Sequence, residues 1–82
     1  MFRTTVAAVL FMLDDCAPGY VWRVGRHRGV ISYGGRTFMG LPKGPGGGHA
    51  SGSARVEFAR IRKLVRMLGV DMECARRHIA GL

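Results

Sequence analysis

The stretch from Tyr20 to Pro42, YVWRVGRHRGVISYGGRTFMGLP, decides the fold. Tyr20 to Val24 alternates, with Tyr20, Trp22 and Val24 on one side and Val21 and Arg23 on the other, which is the period of a strand. Gly25 to Gly29 turns the chain, and Val30 to Tyr33 is a second strand. Gly34-Gly35 is a two-residue hairpin connection that tolerates positive φ. Arg36 to Leu41 is the third strand, with Thr37, Met39 and Leu41 opposing Arg36, Phe38 and Gly40, and Pro42 stops it. The same stretch sets His27 between Arg26 and Arg28. It thereby places the side chain best suited to move protons near neutral pH inside a basic hairpin suited to meeting phosphates.

Helices are expected on both flanks. On the N-terminal side Thr4 or Thr5 can cap a helix that continues through Val6 to Leu13, and Ala17-Pro18-Gly19 ends it. Val6, Val9, Leu10 and Leu13 share one face, while Phe11 and Met12 make the other face apolar too, as in a deeply buried or interfacial helix. On the C-terminal side, residues 44–52 (GPGGGHASG) read as a flexible loop. It lacks the Gly-Lys-Ser/Thr ending of a phosphate-binding loop, so its glycines do not indicate nucleotide binding. His49 within it is a lone imidazole. Ser53 is expected to cap a second helix, with Glu57 in its first turn and Phe58, Ile61, Leu64, Val65 and Leu68 as its apolar stripe. Arg55, Arg62, Lys63 and Arg66 fall on the opposite side of that helix. Gly69 is a C-terminal cap. Asp71 starts a short third helix with Met72, Ala75 and Ile79 facing inward, and Arg76, Arg77 and His78 suit its negative pole. The order is α-β-β-β-α-α: an α+β fold with a three-stranded antiparallel sheet and its helices packed on one face.

Eighty-two residues, 48% of them hydrophobic, suit one domain with a modest core. Thirteen Lys and Arg against five Asp and Glu give a formal charge of +8. That balance fits a nucleic acid or an acidic protein as partner better than a small neutral ligand. Cys16 and Cys74 form no metal-binding spacing and read as two reduced, partly buried thiols of a cytoplasmic protein. Neither a metal nor another cofactor is expected. The apolar run Val6 to Leu13 is too short to span a membrane, and Asp14-Asp15 follow it where a signal peptide would have small residues.

Several of these segments, in this order, resemble the HicA family, the toxin half of type II toxin–antitoxin pairs. Gly19-Tyr20-Val21-Trp22-Arg23 resembles that family's aromatic-led first strand. Gly25-Arg26-His27 resembles its Gly-Ser-His, with Arg26 where the family has serine. Residues 30–38 resemble its hairpin and Leu41-Pro42 the hairpin's end, while residues 55–68 resemble its long helix and Gly69-Val70-Asp71 the final restart. The resemblance implies a small fold like the double-stranded RNA-binding domain, mRNA interferase activity without a metal, and an antitoxin covering the His27 surface.

It also implies roles for particular residues. RNA cleavage without metal needs a base for the 2′-hydroxyl proton, an acid for the leaving oxygen and cations for the charged phosphorane. His27 is the candidate catalytic residue, as base or acid, and Arg23, Arg26 and Arg28 are candidates to hold the phosphate. Arg36, Lys43, Arg55, Arg62 and Arg66 complete the expected contacts to single-stranded mRNA. Trp22, Tyr33 and Phe38 are candidates for stacking on bases, although strand aromatics more often serve the core. Two other classes stay open: a non-catalytic nucleic-acid-binding module, and a small, phage-borne type of inhibitor that acts by binding a protein.

Overall fold

A computed structural model describes residues 3–43 and 54–82. The glycine-rich segment 44–52, His49 and Ser53 lie outside the described residues. In chain order the elements are β1 (Arg3–Thr5), α1 (Val6–Cys16), β2 (Val21–Val24), β3 (Gly29–Tyr33), β4 (Arg36–Leu41), β5 (Arg55–Glu57), α2 (Phe58–Leu68) and α3 (Met72–His78). β2, β3 and β4 form the expected antiparallel sheet in the order β2-β3-β4, and β1 pairs with β5 in a second, two-stranded sheet.

The local chemistry explains most boundaries. Thr5 caps α1, its hydroxyl accepting from the Ala8 amide at 3.2 Å. Asp71 caps α3 in the same manner through the Glu73 amide at 3.1 Å. Gly34 and Gly35 take φ values of +57° and +79° and close the β3–β4 hairpin. Gly69, at φ +71°, ends α2 in the left-handed conformation.

Three expectations are corrected. The helix expected from Ser53 begins only at Phe58. Residues 55–57 instead extend as β5, with Thr4 opposite Val56 and Arg3 opposite Glu57. Glu57 is therefore the residue before the helix, with no side-chain cap bond. On β4, Leu41 does not oppose Phe38; both are buried. The pairings Ile31 with Phe38 and Gly29 with Leu41 leave one residue on β3 facing two, Met39 and Gly40, on β4. This bulge resets the alternation and turns Leu41 back to the core side. Finally, Cys16 and Cys74 are joined in a disulfide, with Cα atoms 5.7 Å apart, rather than being free thiols. Disulfides are rare in reducing compartments, so the pairing removes the argument from cysteine usage to the cytoplasm.

Trp22, Ile31 and Phe38 stand side by side on the inner face of the sheet. Ile31, Phe38 and Leu41 meet Val6, Val9, Met12 and Leu13 of α1, Ile61, Leu64, Val65 and Leu68 of α2, and Ala75 of α3 in a single core. Burying side chains of this size stabilises by roughly 1.5–3 kcal/mol each. Gly29 is required by this packing: a Cβ there would lie 2.0 Å from Cη2 of Trp22. Val21, Arg23 and Thr37 on the outer face are exposed and Ser32 is half-buried. Tyr20 fastens the start of β2 to α1, its hydroxyl donating to Asp14 Oδ1 at 2.9 Å. No helix among the described residues is long and apolar enough to cross a membrane.

Candidate nucleic-acid interface

One edge of β4 pairs with β3, and α2 runs along its other side. Between them lies an open groove of about 470 Å³ lined by Arg28, Met39, Gly40, Glu57, Arg60, Lys63 and Met67, among others. It continues past Gly40 to Leu41, Pro42 and Arg55. The bulge that re-buries Leu41 turns Met39 outward, 53% exposed, onto the groove. Arg60 fixes the two walls together: its Nη1 donates to the Gly40 carbonyl at 2.9 Å. Gly40 is glycine for the same reason, since a Cβ there would meet the Phe38 ring at 2.8 Å and Arg60 Nη1 at 3.2 Å. Arg28, Arg55, Arg60 and Lys63 therefore surround a partly apolar floor with Glu57 as the one acid among the lining residues. Among the described residues none of these four cations is in an ion pair, since the only one is between His78 and Asp15.

The expected site residues divide. Arg28 and Arg55 line the groove. Arg26 and His27 are exposed on the β2–β3 turn, which is closed by the Gly25 amide on the Arg28 carbonyl at 2.8 Å. His27 thus immediately precedes a groove residue, but among the described residues nothing orients its ring and no second imidazole or carboxylate is bonded to it. Arg23 lies on the outer face of the sheet in a shallow hollow with Val30, Ser32 and Thr37. Arg36 reaches the C-terminal end of α2, its Nη1 3.5 Å from the Met67 carbonyl, where a cation complements the helix pole. Lys43 is exposed beyond the end of β4. Arg62 is half-buried and points to the Leu82 carbonyl at 3.4 Å, away from the groove, and Arg66 is exposed in the last turn of α2. Of the candidate stacking residues, Phe38 is buried and Trp22 and Tyr33 pack against the core.

Sequence reasoning gave Arg60 no role; Lys63 stood in the basic stripe of the long helix weighed for phosphate contact but not among the named RNA contacts. Arg60, Lys63 and Met67 recur at helical spacing, so the stripe was present in the sequence. Which flank of α2 meets the sheet edge is a tertiary fact.

A second constellation lies at the junction of α1 and α3. Asp15, Cys16, Cys74 and His78 place one potential ligand atom each within 4.8 Å of one another. His78 Nε2 is 2.8 Å from Asp15 Oδ2, and the Phe11 ring meets the His78 ring edge-on at 5.7 Å. The residues are local in pairs, Asp15 with Cys16 and Cys74 with His78, and only the packing of α3 on α1 unites them.

Comparisons with protein families, with characterised proteins and with solved structures give no match to this chain.

Proposed function

We propose that this protein binds single-stranded RNA, in the manner its HicA resemblance implies, through the groove between β4 and α2. The observation that carries the reading is the groove itself: Arg28, Arg55, Arg60 and Lys63 converge on one concave strip with Met39 and Met67 between them. Cations at several points along a strip follow a phosphate backbone, and an apolar floor receives bases that have left a stack. The candidate stacking residues Trp22, Tyr33 and Phe38 are turned to the core, so on this reading the groove holds the strand without reading its sequence. On this reading a protein inhibitor of the domain, such as a cognate antitoxin, would be acidic and would cover the groove and the adjoining His27 turn.

Binding is favoured over cleavage as the primary activity. Cleavage through a 2′-hydroxyl needs two proton-transfer groups held in place, and among the described residues no second such group is hydrogen-bonded to exposed His27. The test is to incubate the wild type, His27→Ala and Arg60→Ala/Lys63→Ala with single-stranded RNA in EDTA and resolve both band shifts and products. The expected result is a shift by wild type and His27→Ala, a much weaker shift by the groove double variant, and intact RNA throughout. Cleavage by wild type but not by His27→Ala would replace the binding reading with that of a metal-independent ribonuclease. Equal shifts by all three proteins would remove the groove as the binding surface.

A further inference from the structure

We propose that Asp15, Cys16, Cys74 and His78 form a zinc site when the disulfide is reduced, so that these side chains have two alternative states, a cross-link and a metal centre. The proposal does not depend on RNA binding and shares no residue with the groove.

The donor set is the first argument. Two thiolates, an imidazole and a carboxylate make a borderline-soft, four-ligand set of the kind tetrahedral zinc takes, and that calcium or magnesium does not. The placement is the second. Two ligands come from the last turn of α1 and two from α3, where Cys74 and His78 are four residues apart and so share a helix face. Zinc–ligand bonds of about 2.0–2.3 Å put tetrahedral ligand atoms roughly 3.3–3.8 Å from one another. The four atoms already lie within 4.8 Å, with Cys74 Sγ 3.9 Å and His78 Nε2 2.8 Å from Asp15 Oδ2. Opening the S–S bond and small rotamer changes are all that is needed, and the backbone of both helices stays in place. The third argument is the surroundings. Cys74 is buried and Cys16 half-buried, while the Asp15 side chain is 66% exposed, so the thiolates are sheltered and the metal has a path in from solvent. Phe11, 67% exposed, lies edge-on to the His78 ring and limits its rotation.

The two states interconvert with simple accounting. A dithiol or phosphine reductant supplies two electrons. The Cys16–Cys74 S–S bond breaks and each sulfur takes up a proton: a dithiol gives up its own two protons and becomes a disulfide, whereas a phosphine takes the oxygen of one water to become a phosphine oxide and that water supplies both protons. Zinc(II) then displaces both thiol protons to solvent, forms two Zn–S bonds, and takes His78 Nε2 and an Asp15 oxygen as its other ligands. Each state ties α1 to α3, so neither reduction in the presence of zinc nor oxidation in its absence leaves that junction unlinked.

Cobalt(II) is the probe, because tetrahedral thiolate coordination gives it intense visible bands and a sulfur-to-metal charge-transfer band. The full chain is reduced with a phosphine without oxygen, freed of reductant, and titrated with cobalt(II) and then zinc(II). Reduced wild type is expected to develop both bands at one metal per chain, lose them to one equivalent of zinc, and show by native mass spectrometry the loss of two protons per zinc bound. Zinc should raise the thermal midpoint of the reduced protein and not of the oxidised one. His78→Ala should weaken zinc binding beyond the roughly tenfold that even loss of an outer partner brings. Absence of tetrahedral bands in the reduced wild type would overturn the proposal without recourse to any variant. So would equal metal binding by the oxidised protein, or an unchanged spectrum and affinity in His78→Ala.

Discussion

At Arg60 one guanidinium braces the protein and faces the groove at once. Its bond to the Gly40 carbonyl holds the side chain against the edge of β4, so part of the entropy of ordering a long cation is lost on folding rather than on binding. The same contact occupies a backbone acceptor that an unpaired strand edge would otherwise offer to another chain. Tyr20 is the other residue whose surroundings change its chemistry. Burial first, and then the hydrogen bond and negative charge of Asp14, push its hydroxyl from the ordinary value of 10.0 up to about 12. A phenol whose folded value lies above its unfolded one lends stability below pH 10, and loses it as pH rises towards about 12. Urea-unfolding midpoints of the wild type should therefore fall through that window more steeply than those of Tyr20→Phe. Parallel curves for the two proteins would mean that folding does not raise the pKa of the Tyr20 hydroxyl.

At the scale of elements, α1 and α3 are held by the disulfide, by the Asp15–His78 pair and by packing. The disulfide closes a long loop, its cysteines lying 58 positions apart in sequence. A loop of that size corresponds to about 4 kcal/mol in the chain-entropy account, and native bridges commonly contribute about 2–5 kcal/mol. Cys16→Ser/Cys74→Ser should lower unfolding stability by that amount in chemical denaturation, measured without metal. A change below about 0.5 kcal/mol would show that packing alone docks α3. The elements most visible in sequence were those with local signals: the alternation of β2, the paired glycines before β4, the Thr5 and Asp71 caps, and the stripe from Phe58 to Leu68. β1 and β5 were not visible, because three residues such as Arg3-Thr4-Thr5 carry no period and pair only across most of the chain. The bulge at Met39-Gly40 was hidden for a related reason. Strict alternation is the default reading of a strand, and only the requirement to bury both Phe38 and Leu41 breaks it. For the candidate interface, Arg28 and Arg55 were legible as cations beside the hairpin and the long helix. Arg60 entered through the side of α2 that faces β4, and the meeting of Cys16 with Cys74 through the docking of two distant helices.

Over the whole molecule, a charge of +8 would draw the protein to any polyanion, so attraction alone says little about a site. On the proposed function, the cations that matter are those gathered along β4 and α2, where phosphates and bases would be met together. Arg76 and Arg77, exposed in the last turn of α3, provide an internal comparison, since they carry the same charge without lining the groove. The most direct measurement is the salt dependence of single-stranded RNA affinity, by fluorescence anisotropy, for the wild type, Arg60→Ala/Lys63→Ala and Arg76→Ala/Arg77→Ala. With four groove cations engaged, log affinity should fall against log salt with a slope of about −3, from roughly 0.7 per phosphate contact on a single strand. The groove double variant should lose about half of that slope and at least tenfold in affinity at moderate salt, while its charge-matched counterpart on α3 stays close to the wild type. Equal losses in the two double variants would contradict the account, because binding would then follow net charge and not the groove.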